Sequence, residues 1–317
     1  MNYFCTLFDS HYLTRGLALY DSLASCGGDF ELAIYCFDEK CLELLEKMSL
    51  LNVRLVPFSD FETQELAAVK TGRTRGEFCW TCTPHVIRDV FARFSWPEVT
   101  YLDSDLYFFG RPEILFDEFR KSGGSILITE HRYAPEYDQT LTSGKYCVQF
   151  ITFKDDVRGR TALEWWGKRC LEWCYARFED GKFGDQKYLD DWTTRFEGVH
   201  VLGHLGGGVA PWNMTRYRIS NGPKVEEIPI IFFHFHNLKW FADGKVDLCG
   251  ESYRMDRSIR ELIYRPYVEA LDIALKSARK LEPEFRGGLL TARTHWRDRY
   301  RDLKRRIKGN YWFLKTS

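Results

Sequence analysis

Two aspartates one residue apart, Asp103 and Asp105, flank Ser104 between the apolar runs 99–102 and 106–109 and form the only Asp-x-Asp of the chain. Carboxylates at the end of a buried strand are costly unless they are paired or bind a metal. A hard divalent cation removes that cost and keeps coordination positions open for phosphate oxygens. The blander reading is a polar turn between two strands. A second cluster, His234-Phe235-His236-Asn237-Leu238-Lys239-Trp240, follows another apolar run. An imidazole suits a manganese-like ion as third ligand, and Lys239 can meet a diphosphate as a point charge. Taken alone, this cluster reads better as a core histidine beside a surface lysine. Together with the acidic pair it is what a metal–diphosphate site needs in order to neutralise a departing diphosphate.

Weaker signals surround these two. The stretch 70–80, with Arg73 and Arg75, reads as a loop near the diphosphate, where arginine binds phosphate, or as a solvated charge cluster. Cys79 and Cys82, with Cys170 and Cys174, have the spacing of a zinc set, but free cysteines also pack as small apolar residues. Gly206-Gly207-Gly208 and Pro211-Trp212-Asn213 suit a loop beside a ligand or an ordinary turn.

Alternating strands and helices must position these residues. Strands are expected over 3–8, 32–37, 53–57, 99–102, 125–129, 148–153 and 228–235. Helices are expected over 13–25, 39–48, 82–94 with Pro84 in the first turn, 161–177, 184–192, 257–280 and 292–308. Such alternation predicts an α/β fold: a mixed, mostly parallel sheet with helices on both faces, followed by a C-terminal helical extension. The division expected is a catalytic domain over 1–247 and an extension over 248–317.

Composition agrees with a globular enzyme. The 317 residues include 24 Phe, 17 Tyr and 10 Trp, which need a core to occupy. Lysine plus arginine balance aspartate plus glutamate at 45 each, yet residues 276–317 carry 13 basic against 4 acidic side chains. The start has no basic leader, and no apolar run approaches the length of a membrane span. A cytoplasmic protein with reduced cysteines is the expectation.

The layout over residues 1–245 resembles the GT-A glycosyltransferases, most closely the family 8-like bacterial enzymes. The resemblance rests on Phe4-Cys5-Thr6-Leu7-Phe8-Asp9, on the block around Asp103-Ser104-Asp105, on Phe183-Gly184-Asp185-Gln186-Lys187 and on the cluster from His234 to Trp240. It implies Mn²⁺ or Mg²⁺ held by Asp103, Asp105 and His234, with His236 the lesser candidate. Asp103 would also meet the ribose, Thr6 and Asp9 the base and ribose, and Ser104, Arg75 and Lys239 the rest of the nucleotide. Asp185 and Gln186 would lie beside the donor sugar or assist the reaction; a helix N-cap by Asp185 is the alternative. The chain departs from the family pattern at Asn237, where the pattern has glycine, and after Lys239, where it has Lys-Pro-Trp.

The resemblance thus implies a metal-dependent hexosyltransferase of retaining type. It would move a sugar from a nucleotide-diphosphate donor, a UDP-sugar, to a glycan or lipid-linked acceptor in cell-surface polysaccharide synthesis. In the tail, Trp296, Tyr300, Leu303 and Ile307 recur at helical spacing among arginines and lysines. That basic amphipathic pattern over 292–314 suits an anionic membrane surface at the inner face; no nucleic-acid-binding motif accompanies the charge. The rival readings are a sugar nucleotidyltransferase and a non-catalytic protein binding a membrane or polyanion.

Overall fold

A computed structural model describes residues 1–291 and 296–313; side chains of 296–301 are outside the description. The centre is a seven-stranded sheet of β1 (Asn2–Phe8), β2 (Phe30–Cys36), β3 (Val53–Pro57), β4 (Glu98–Leu102), β6 (Ile126–Glu130), β7 (Tyr146–Lys154) and β8 (Val199–Val201), in the order β3-β2-β1-β4-β7-β6-β8. Only β7 runs against the rest. The continuous burial of β1, β2 and β7 is what a sheet covered on both faces requires.

Asp103 and Asp9 directly follow or closely follow the C-terminal ends of the parallel strands β4 and β1, where open α/β sheets bind ligands. Just after the acidic pair, β5 (Leu106–Phe108) pairs antiparallel with β12 (Phe232–His234), with His234 opposite Leu106. That register brings together residues about 130 positions apart in the sequence. The expected single strand over 228–235 is corrected. Ile228–Pro229 (β11) belongs to a small sheet with β9 (Ile219–Ser220) and β10 (Lys224–Val225), and only 232–234 joins β5. Pro229, which has no N–H to donate, marks the break.

Two apolar cores flank the sheet. One contains Phe78, Ile87, Trp166 and Trp192; the other contains Leu13, Leu17, Phe119, Phe232 and Tyr267. The helix expected from residue 82 instead spans Arg75–Phe94, with Pro84 in its interior. Thr74 and Glu77 form a capping box that starts it earlier, so the stretch 75–80 is helical rather than a loop. Similarly, Asp156 caps the helix Val157–Glu172 through Gly159 N–H, four residues before the expected start. These two helices pack closely: His85 is buried with Nε2 3.3 Å from the Gly167 carbonyl.

Burial and the nearby Arg88 and Arg73 charges outweigh that hydrogen bond and lower the His85 pKa to about 4. The fold therefore holds the neutral ring. This stabilisation is complete above the unfolded value of about 6.5 and is lost as pH falls through about 4, a loss of about 3 kcal/mol. His85→Gln is expected to flatten the decline of the urea midpoint between pH 6.5 and 4; an unchanged slope would show that His85 does not drive it.

The C-terminal part shares the second core. The helix Arg265–Leu281 lies against Leu13–Cys26, preceded by a π-turn at Arg260–Tyr264 where one continuous helix was expected. The strand β15 (Tyr311–Phe313) pairs with β14 (Lys245–Asp247), which pairs with β13 (Lys239–Trp240). Arg305 meets the fully buried Asp247 at 3.2 Å. In the helix Trp296–Ile307, Leu303 and Ile307 are exposed. Of the basic tail over 292–314, residues 292–295 and 314 lie outside the described residues. No helix among the described residues is long and apolar enough to cross a membrane.

Candidate active site

A cavity of about 560 Å³ opens along the C-terminal edge of the sheet. Asp103, Ser104, Asp105 and His234 line it, with Asp9 and Arg75 toward the β1 side and Asp185 and Gln186 beside them. The loop after β4 delivers the acidic pair, and the β5–β12 ladder delivers His234. Phe235 N–H donates to the Asp105 carbonyl at 3.0 Å, locking the two segments together. His234 Nε2 lies 3.0 Å from Asp105 Oδ1 and 3.8 Å from Asp103 Oδ2. The ligand atoms of all three side chains fall within 4.8 Å of one another.

Burial and mutual charge shift the pKa of all three side chains. Burial and the Asp105 charge raise the Asp103 pKa despite His234. Burial opposes ionisation of Asp105 too, but His234 outweighs it and lowers the Asp105 pKa. Burial would also lower the His234 pKa, but Asp105 raises it well above the usual range. Two carboxylates and an imidazole, oxygen and nitrogen donors, suit Mn²⁺ and, less typically, Mg²⁺.

A second trio, Asp9, His11 and Asp38, has comparable spacing. There the cation is already supplied: Arg75 Nε lies 2.5 Å from Asp9 Oδ2, and its Nη2 3.7 Å from Asp38 Oδ2. Arg75 thus stands with Asp9 at the β1 end. Arg73 is used structurally, donating to Thr81 and to the Leu171 carbonyl.

Asp185 is 5% exposed, and burial together with the Asp103 charge raises its pKa well above the ordinary value. Its backbone is pinned by Trp166 Nε1, which donates to the Asp185 carbonyl at 2.9 Å. The short helix Lys187–Asp191 has no side-chain cap, so the capping alternative for Asp185 is corrected. Gln186 Nε2 donates to the Ser143 carbonyl at 2.6 Å.

Other sequence candidates lie elsewhere. Thr6 is fully buried within β1, and Leu7, Phe8 and Asp9 line the cavity instead. Lys239 lies in β13, outside the lining; burial and the His234 charge lower the His236 pKa, with a smaller contribution from Lys239. Asn237 reaches the cavity with φ +64°, so asparagine keeps the left-handed backbone that glycine would have provided. Gly206 and Gly207 pack rather than line: a Cβ at Gly206 would lie 2.0 Å from the Pro229 carbonyl oxygen. Cys82, Cys170 and Cys174 are buried among apolar side chains, and the metal-like groups among the described residues contain no cysteine.

Sequence reasoning missed Tyr12, Cys147, His131, Tyr133 and Tyr253, which complete the wall. It also missed Gln149, fully buried behind His234. A glutamine inside the apolar stretch 146–153 was the available signal for the last; Cys147 shares that strand, His131 and Tyr133 follow β6, and Tyr12 and Tyr253 come from two distant segments.

No family model matches the chain. The uncharacterized protein YfnF of Bacillus subtilis (strain 168) is 32% identical over 296 residues, covering 90% of this chain and 96% of YfnF. YfnD of the same organism is 28% identical over 300 residues, covering 91% and 94%. Among solved structures, the galactosyltransferase LgtC, in complex with donor and acceptor sugar analogs, superposes with a TM-score of 0.51 at 12% identity, covering 93% of this chain and 99% of LgtC. The glycosyltransferase GlyE of Streptococcus pneumoniae TIGR4 gives 0.52 at 13% identity, covering 88% and 63%. The chain therefore has the GT-A fold and belongs to the same protein family as YfnF.

Proposed function

We propose that this protein is a metal-dependent glycosyltransferase that moves a hexosyl group from a nucleotide-diphosphate sugar, a UDP-sugar, to a glycan or lipid-linked acceptor. The observation that carries this reading is the convergence of Asp103, Asp105 and His234 within 4.8 Å on the cavity formed at the strand ends. Mn²⁺ or Mg²⁺ held there would supply positive charge to the leaving diphosphate. Asp9 would meet the nucleoside, and Arg75, paired with Asp9 at the same end of the cavity, the phosphates. Asp185 and Gln186, which line the same cavity, would meet the donor sugar, and retention of configuration is the outcome that the family resemblance implies. The names of the structural neighbours, galactosyltransferase and glycosyltransferase, support the same class of reaction.

The tail extends the proposal to a peripheral membrane location in cell-surface polysaccharide synthesis. Leu303 and Ile307 are 55% and 77% exposed on a helix that also presents Lys304 and Arg306. An apolar stripe with basic flanks fits an anionic leaflet.

A panel of nucleotide sugars incubated with Mn²⁺ tests the central reading. Slow release of nucleoside diphosphate, abolished by EDTA, is expected for one donor. Release of pyrophosphate from a sugar phosphate and a nucleoside triphosphate would favour a nucleotidyltransferase. Absence of both Mn²⁺ and UDP binding by calorimetry would overturn the enzymatic reading.

A further inference from the structure

We infer that Gln149 is a positioning residue that sets the tautomer of His234 for metal binding; this rests on the reading of Asp103, Asp105 and His234 as a metal site. Gln149 is fully buried in β7, on the strand beside the one that leads into Asp103. Its Oε1 lies 2.8 Å from His234 Nδ1. On the other side of the amide, Nε2 lies 3.5 Å from Thr129 Oγ1. The Thr129 hydroxyl donates to the Cys147 carbonyl at 3.1 Å, so its oxygen is left as the acceptor.

These contacts form a continuous chain when the ring carries its proton on Nδ1. The backbone carbonyl orients the Thr129 hydroxyl, the hydroxyl oxygen accepts from the Gln149 amide nitrogen, and the amide oxygen accepts from Nδ1–H. In that arrangement the amide oxygen faces Nδ1–H and the amide nitrogen faces the Thr129 oxygen, so both ends of Gln149 are partnered. With the proton on Nδ1, the lone pair of the neutral ring is on Nε2, the atom that faces both aspartates. A ligating histidine is held and tuned through its other nitrogen in this way.

The surroundings are shaped to keep the amide in place. Gly208 has φ +92°, and a Cβ there would come within 3.2 Å of Gln149 Nε2. The same loop anchors the ligand strand, since His234 N–H donates to the Val209 carbonyl at 2.9 Å. Asp103 N–H donates to the Gln149 carbonyl at 2.9 Å. One residue therefore contacts the histidine through its side chain and the acidic pair through its backbone. The sequence offers no other reason for a glutamine in a strand that is otherwise buried and largely apolar.

The test is Mn²⁺ binding to the full chain, read from the electron paramagnetic resonance signal of free ion, with the thermal midpoint recorded for each variant. Gln149→Leu is expected to weaken Mn²⁺ binding about 10- to 100-fold with a folded protein. Gln149→Glu, which keeps an oxygen acceptor for Nδ1–H, is expected to bind within about threefold of wild type or more tightly. Wild-type binding with Gln149→Leu equally tight overturns this inference alone. Failure of wild type to bind Mn²⁺ overturns the metal reading and this inference with it. If Gln149→Leu does not fold, Thr129→Val, which removes only the hydroxyl behind the amide, is expected to weaken binding about threefold; unchanged binding overturns the inference.

Discussion

Replacing Asp105 with alanine is expected to lower metal-dependent turnover of the donor by at least about 1000-fold. Asp105 is the carboxylate nearest His234, at 3.0 Å, and its pKa is lowered, so it is ionised whenever the site is used. Its loss removes one of the two carboxylates proposed to hold the metal and leaves His234 without its close partner. Asp103→Asn is expected to cost activity similarly but to affect the fold differently. The Asp103 pKa is raised, so its ionised form is less favourable in the folded chain than in the unfolded one. Removing that charge is expected to raise the thermal midpoint of the metal-free protein while turnover is lost. This is the trade of stability for function common at active sites. Rates measured with and without Mn²⁺, beside melting curves in EDTA, check both claims. Full metal-dependent turnover by Asp105→Ala would remove Asp105 from the site.

The second large effect concerns stability. Arg305→Leu is expected to destabilise the fold by about 3–5 kcal/mol, lowering the thermal midpoint by about 6–10 °C. Asp247 is fully buried; its Oδ1 accepts from Gly250 N–H at 2.9 Å and Arg305 lies 3.2 Å from its Oδ2. Burial raises the Asp247 pKa, and the Arg305 charge is the largest influence opposing it. Without the guanidinium, a buried carboxylate must either stay charged and unpaired or take up a proton. Most of the cost is that uncompensated charge. The double variant Asp247→Asn with Arg305→Leu is therefore expected to recover much of the loss. A shift below about 3 °C for Arg305→Leu would show that water already compensates Asp247.

This pair also ties the C-terminal segment to the cavity wall. Asn310 Nδ2 donates to the carbonyls of Gly250 and Tyr253, at 2.7 and 2.8 Å, and Lys308 Nζ donates to the Glu251 carbonyl. Tyr253 lines the cavity. The unfolding of Arg305→Leu is therefore expected to begin in a segment that shapes the site.

Much of the framework was legible because its signals are local. The run Tyr3–Phe8 and the acidic pair after 99–102 read correctly, since a covered strand needs continuous apolar residues and a sheet edge tolerates charge. Helix starts read less well. Thr74 begins a helix through its capping box with Glu77, although Pro84 further on suggested a first turn. Here a cap outweighed the positional preference of one proline. Asn237 departs from the family pattern in residue type and takes a left-handed backbone of the kind glycine adopts readily, which residue identity alone does not reveal.

By itself, the sequence determined the residue types available for chemistry and the strands that carry them: Asp103 and Asp105 at one strand end, His234 at another. Their spacing along the chain cannot show that they meet. The β5–β12 register decides that, because the pairing of Leu106 with His234 sets the imidazole beside the carboxylates. Tertiary structure also decided that Arg75 faces Asp9, that Thr6 is enclosed, and that Gln149 stands behind His234. The physical reason is common to all four. Packing, hydrogen bonds and ion pairs act over a few ångströms between partners brought together by distant segments, whereas sequence periodicity reports only which face of an element is buried.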